Sequence, residues 1–111
     1  MLSILIPTYN YDCTQLVHDL QMQAQHLGID YEIVVADDAS PMCIYKKRNR
    51  EINALPHCRF IELPENVGRA CIRNRLADNA QGEWILFIDC DAEVISDSFI
   101  SDYLVHVDVD V

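Results

Sequence analysis

Basic residues are scarce in this chain. Among 111 residues there are 8 Lys plus Arg against 18 Asp plus Glu, a net charge of −10 at pH 7. Nucleic-acid backbones are held by clustered Lys and Arg, so no nucleic-acid partner is expected. The one basic run, Lys46-Lys47-Arg48-Asn49-Arg50, is followed at once by Glu51 and reads as a solvated helix face. Long apolar runs are also missing. The longest, Trp84 to Ile88, falls far short of the ~18 residues of a transmembrane segment. Met1 to Pro7 has no basic stretch before its short apolar run, so it does not read as a signal peptide. These absences predict a cytoplasmic chain, with the inner face of the membrane as the alternative placement.

Paired cysteines and paired histidines are absent too. Cys13, Cys43, Cys58, Cys71 and Cys90 form no CxxC, and their number is odd. They are expected to be reduced and mostly buried. His18, His26, His57 and His106 show neither HxxxH nor HExxH spacing, so no zinc site is expected. What the chain does have is apolar content, at 50%. That is enough for one globular domain rather than a disordered acidic tail.

The pattern along the chain is strand, helix, strand, helix, strand, helix, strand. Leu2 to Ile6 is an apolar run that Pro7 should stop. Asp12 with Gln15 resembles a capping box, and Leu16, Val17, Leu20, Ala24 and Leu27 follow at helical spacing up to Gly28. This predicts a helix from about 13 to 27. Tyr31 to Ala36 is a second strand. Ser40-Pro41 reads as the cap and first residue of a helix from about 41 to 54, with Ile44, Ile52 and Leu55 inward. Cys58 to Leu63 alternates, as expected near a sheet edge. A helix over 69–80 precedes Trp84 to Ile88, whose unbroken apolar character suggests a strand buried on both faces.

Strands alternating with helices imply right-handed βαβ units, hence a three-layer α/β/α sandwich on a mostly parallel sheet. Ligands in such sheets bind beyond the carboxyl ends of the strands. Three polar clusters fall there: Pro7-Thr8-Tyr9-Asn10, Asp37-Asp38 and Asp89-Cys90-Asp91. Residues i and i+2 of an extended segment face one way. Asp89 and Asp91 can therefore offer two carboxylates to a hard divalent cation, which keeps positions open for phosphate oxygens. They can equally cap the next helix. Asp37-Asp38 can accept hydrogen bonds from a ribose or base, or serve turn chemistry. Arg73, one turn beyond Asn66-Val67-Gly68, can fork a phosphate, or pair with Asp78 or Glu65 on a solvent face.

Four segments, in order and spacing, resemble a known family. They are Leu2 to Asn10, Glu32 to Ser40, Asn66-Val67-Gly68 with Arg73-Asn74, and Gly82 to Asp91. Together they are similar to the nucleotide-binding half of family-2 glycosyltransferases, inverting enzymes of the GT-A fold. The resemblance covers about residues 2 to 104. It implies transfer of a sugar from a nucleotide-diphospho-sugar, UDP-linked by preference, to a saccharide or lipid-linked acceptor. It implies that the Pro7-Thr8-Tyr9 turn and Asp38 contact the nucleotide base, and that Arg73 lies near the nucleotide. It implies that Asp91 binds Mn²⁺ or Mg²⁺ bridging the diphosphate, with Asp89 supporting the ribose or the metal shell.

Two departures stand out. The family usually has Gly after the Asp-Asp pair, and here it is Ala39, unfavourable if the backbone needs positive φ. The family's catalytic base is a carboxylate well after the DxD, and this chain runs only 20 residues past Asp91, to Val111. No base candidate is found. Residues 1–104 are therefore expected to be the nucleotide-sugar-binding part of a truncated GT-A domain. Residues 105–111 alternate strictly and are expected to be a tail or strand. Such a chain should bind donor without completing transfer, and should self-associate through exposed apolar edges. The alternatives are a non-catalytic nucleotide-sugar-binding module, a haloacid-dehalogenase-type phosphatase with Asp89 as nucleophile and Asp91 as acid/base, and a phospho-receiver domain.

Overall fold

A computed structural model of the chain describes residues 1–91 and Ile100. The remainder of the expected 1–104 unit and the alternating 105–111 tail lie outside the described residues.

The described chain runs β1 (Leu2–Thr8), α1 (Thr14–Leu27), β2 (Tyr31–Asp37), α2 (Cys43–Asn49), a 3₁₀ helix (Arg50–Ala54), β3 (Cys58–Glu62), α3 (Arg69–Asn79) and β4 (Trp84–Phe87). The four strands form one parallel sheet in the order β3-β2-β1-β4. The register sets Leu2 beside Tyr31 and Trp84, and Thr8 beside Asp37.

Alternation along β1 and β2 splits the core in two. Ile4, Ile6, Ile33 and Val35 face one way and pack with Val17 and Leu20 of α1 and with Ile52. Leu5, Val34 and Ala36 face the other way, against Ile72 and Leu76 of α3. Each such side chain contributes about 1.5–3 kcal/mol when fully buried. The α3 contribution is thin, because only Ile72 and Leu76, one turn apart, are buried on that helix. The expected three layers are present. Ile100 is fully buried in the α1-side core, and its N–H donates to Gln23 Oε1 at 3.1 Å.

Several local expectations need correction. Pro7 does not stop β1, which continues through Thr8. The Ile88 N–H donates to the Leu5 carbonyl and the Asp38 N–H to the Thr8 carbonyl. Odd positions of β1 therefore face β4 and even ones face β2. The N–H that Pro7 lacks falls on the β4 side, beyond the last paired position, Leu5–Phe87, so no ladder bond is lost. Asp12 and Gln15 do not form a capping box. Asp12 Oδ1 accepts from the Thr14 N–H at 2.9 Å and the Thr14 hydroxyl at 2.7 Å, while Gln15 reaches forward to Asp19. Gly28 ends α1 at φ 68°, the left-handed stop expected of it.

Ser40 and Pro41 do not start α2. The helix begins after Met42, because the Ser40 hydroxyl is taken by Asp37. The segment expected as one helix is a short α-helix followed by a 3₁₀ turn. Ile52 is buried, but Ile44 is 61% exposed rather than inward. β4 is not buried on both faces. It is the last strand in the order among the described residues, and its Trp84 and Ile85 side chains are exposed. Of the five cysteines only Cys13 and Cys58 are buried, while Cys43 and Cys71 are exposed and Cys90 is intermediate.

Candidate functional site

The carboxyl ends of β1, β2 and β4 meet the first turn of α3 around a cavity of about 360 Å³. Pro7, Thr8 and Tyr9 line it from the end of β1, with Tyr11 just beyond. Asp38 enters after β2, and Asp89, Cys90 and Asp91 after β4. The opposite wall is Arg69 and Ile72 of α3. Six of the seven residues implied by the resemblance are thus brought together. The seventh, Arg73, does not line the cavity. Its guanidinium lies over the Phe87 ring, 4.4 Å from the centroid, a cation–π contact that clamps α3 to β4. Arg69 is the basic residue at the cavity, and sequence reasoning missed it. Its position one helical turn before Arg73 was the available signal.

The Asp37-Asp38 pair divides its work. Asp37 is fully buried, and its carboxylate accepts from the Ser40 N–H at 2.8 Å and from the Ser40 hydroxyl. That hydroxyl in turn accepts the Asn10 N–H at 2.8 Å. Asp38 accepts from the Val67 N–H at 2.7 Å and the Gly68 N–H at 3.1 Å, while its carbonyl accepts from Asn66 Nδ2 at 3.0 Å. This explains the Asn-Val-Gly turn: its amides converge on one carboxylate, and Gly68 supplies φ 87°. A carboxylate has roughly four lone-pair sites, so Asp38 retains acceptor capacity toward the cavity it lines. Ala39, between the two networks, sits at φ 56°, the left-handed conformation that favours glycine.

Asp89 and Asp91 are exposed and both line the cavity, in keeping with their i, i+2 spacing. No hydrogen bond or ion pair among the described residues occupies either carboxylate. Nor, among the described residues, are three or more His, Cys, Asp or Glu side chains gathered as for a metal. The two carboxylates form a partial oxygen donor set, one that suits a hard cation whose other positions go to phosphate and water. Between them, Cys90 sits beside the buried Cys13 thiol. That contact, aided by Thr8 and the Tyr9 backbone, draws the Cys90 thiol down to about 6 against the opposing effects of burial and Asp91. Cys13, which donates to Thr8 Oγ1 at 3.2 Å, is pushed up.

Comparison with known proteins places the chain in a family. The family described as Glycosyl transferase family 2 matches residues 3–108. The chain belongs to the family-2 glycosyltransferases. Two relatives, both called uncharacterized glycosyltransferase, come from Haemophilus influenzae. One is 28% identical over 100 residues, which is 87% of this chain and 38% of the relative. The other is 29% identical over 91 residues, 82% of this chain and 29% of the relative. Among solved structures, S. aureus TarS 1-349 in complex with UDP-GlcNAc superimposes with TM-score 0.72 at 27% identity, over 96% of this chain and 31% of TarS. A mannosyltransferase from Pyrobaculum calidifontis, in complex with GDP-Man and Mn²⁺, gives TM-score 0.78 at 22% identity, over 93% of this chain and 31% of its own. The latter likeness bears on the fold alone. As a family-2 glycosyltransferase chain, this one shares the α/β architecture of GT-A structures and spans less than two-fifths of the length of these relatives. No helix among the described residues is long and apolar enough to cross a membrane.

Proposed function

We propose that the chain is the donor-binding part of an inverting glycosyltransferase that uses a UDP-linked sugar and Mn²⁺ or Mg²⁺. The observation that carries this is the single cavity into which Pro7, Thr8, Tyr9, Asp38, Asp89 and Asp91 all open. Tyr9 and Tyr11 offer aromatic surface to a base, and Asp38 offers an acceptor to a base N–H. Asp91, with Asp89, would hold the cation, and Arg69 adds positive charge on the opposite wall. The ion would supply charge against the leaving nucleotide diphosphate. Arg73 keeps its role near the nucleotide only by leaving Phe87. The TarS complex with UDP-GlcNAc supports the choice of a UDP donor. The acceptor, saccharide or lipid-linked, would be recognised and activated by sequence that longer relatives have beyond this length. Placement in the cytoplasm or at the inner face of the membrane fits such a donor.

Calorimetry with UDP and Mn²⁺ tests the donor site. Binding should require the metal and be lost in Asp91→Ala. Metal-independent binding, or none by a folded chain, would sink the assignment. The same ligand should shield Cys90 from iodoacetamide while exposed Cys43 and Cys71 still react. The second reading is a binding module without transfer. Sugar transfer by this chain alone would exclude it. We also propose that the chain self-associates through exposed apolar side chains such as Met42, Ile44 and Trp84. A monomer mass by light scattering at high concentration would count against that.

A further inference from the structure

The loop between β1 and α1 carries Tyr9 and Tyr11, the two aromatic residues of the cavity wall, 49% and 43% exposed. Exposed aromatic side chains do not fix their own backbone. Here the backbone is fixed from behind. Asn49, the last residue of α2, is completely buried between exposed Arg48 and Arg50. Its Nδ2 donates to the Tyr11 carbonyl at 2.8 Å, and its Oδ1 accepts the Cys13 N–H at 2.8 Å. One amide therefore brackets Asp12 and fixes the backbone directly after Tyr11. Ser40 holds the preceding residue through the Asn10 N–H, at a left-handed φ of 49°. Three backbone groups of the loop are thus bound by side chains of the segment from Ser40 to Asn49, none of which lines the cavity.

We infer that Asn49 is a positioning residue for the aromatic wall, and that it governs recognition of the base rather than of the diphosphate. The inference rests on the proposed donor site. Tyr9 and Tyr11 lie on the loop that Asn49 holds, whereas Asp89 and Asp91 follow β4 and meet that loop only through Cys90 between them. An Asn at this place has no role in a solvated helix face, and its complete burial marks the exception within that basic run. Leaving a buried donor or acceptor unmade is costly, so the loop should shift rather than tolerate the loss.

The test is binding of two probes, each with Mn²⁺, by Asn49→Ala: UDP and inorganic pyrophosphate. Amide hydrogen exchange is measured on the ligand-free chain alongside. The expected result is a rise of about tenfold in the Kd for UDP, the scale of lost hydrogen bonds, with pyrophosphate unchanged. The Cys13 amide should exchange faster while the Val67 and Gly68 amides do not. A parallel loss for both probes, an unchanged ratio, or uniformly faster exchange overturns the inference and leaves Asn49 a purely structural residue. If the wild-type chain binds neither probe, the donor-site reading itself fails, and the inference with it. Should Asn49→Ala not fold, Ser40→Ala, which removes the Asn10 contact, carries the same expectation of a changed UDP-to-pyrophosphate ratio.

Discussion

The two ends of the sheet use carboxylates in opposite ways. At the amino end, Glu32 is buried and its acceptor sites are filled by the protein. It takes the Ser3 hydroxyl at 2.6 Å, the Gln81 N–H at 2.7 Å and Arg59 at 3.1 Å. Ser3 in turn accepts the Gly82 N–H at 2.8 Å. A Cβ on Gly82 would meet the Met1 carbonyl oxygen at 2.5 Å and Ser3 Oγ at 2.6 Å, so only glycine fits that crossing. At the carboxyl end, Asp37 and Asp38 hold loops, but Asp89 and Asp91 line a cavity with no partner among the described residues. The lesson is that acidity alone does not mark a site. A carboxylate whose partners are all its own chain locks the fold; one left open at the strand ends is available to a cation.

The sharpest way to break this contrast is to exchange the expected effects. Glu32→Ala should cost about 2–3 kcal/mol of stability, because it strips the acceptor from the Ser3 hydroxyl and the Gln81 N–H and leaves Arg59 only the Asn79 carbonyl. In chemical denaturation this is a lower midpoint, with metal-dependent UDP affinity unchanged within about twofold, since the sites are distant. Asp91→Ala should do the reverse. It should weaken UDP–Mn²⁺ binding at least about tenfold, roughly 1.4 kcal/mol, and leave the denaturation midpoint near wild type. If Asp91→Ala destabilises as much as Glu32→Ala, the two ends do not differ as argued.

Acid sharpens the same point. Burial alone would raise the Glu32 pKa, but hydrogen bonds from Gln81 and Ser3 and the pairing with Arg59 outweigh it and hold the group below the ordinary glutamate range. A depressed folded value means stability that is present above the unfolded pKa of about 4.3 and lost as pH falls through the lower folded one. The stability gap between wild type and Glu32→Gln should therefore narrow on acidification below about pH 4. A gap that stays constant from pH 6 to 3 would show that the charge on Glu32 contributes nothing. The smallest expected effect is Ala39→Gly. Relief of the left-handed strain, less the extra freedom of glycine in the unfolded chain, leaves a gain of roughly 0.5–1 kcal/mol. A loss of stability would mean that the methyl group contributes packing there.

Much of this architecture is legible in the sequence, for physical reasons that also explain the gaps. β1, β2 and α1 announce themselves because their apolar spacing follows directly from burial against a sheet. The convergence of Thr8, Asp38 and Asp89 follows from parallel topology, which places every strand end on one edge. What stays hidden depends on partners distant in the chain. Ser40-Pro41 has the local grammar of a helix start, yet Asp37 and Asn10 claim the Ser40 hydroxyl. Asn49 is masked by basic neighbours, because a two-handed backbone bond leaves no trace in composition. Trp84 to Ile88 reads as doubly buried because an apolar run does not disclose which of its side chains other elements cover. Arg73 needs the position of Phe87 before its partner is visible.

The central place of β1 has a consequence in time. The first strand of the chain pairs with β2 across one helix, but with β4 only after some eighty intervening residues, as the Leu2–Trp84 register shows. Closing the longer loop costs more entropy and rewards later. The β1–β2 half can therefore assemble early, with its aromatic loop and the Asp37–Ser40 latch, while the Asp89–Asp91 carboxylates arrive with β4. The cavity takes lining residues from both sides of the seam between β1 and β4. Opening that seam would remove the Asp89 and Asp91 wall first and leave the Tyr9 and Tyr11 wall standing.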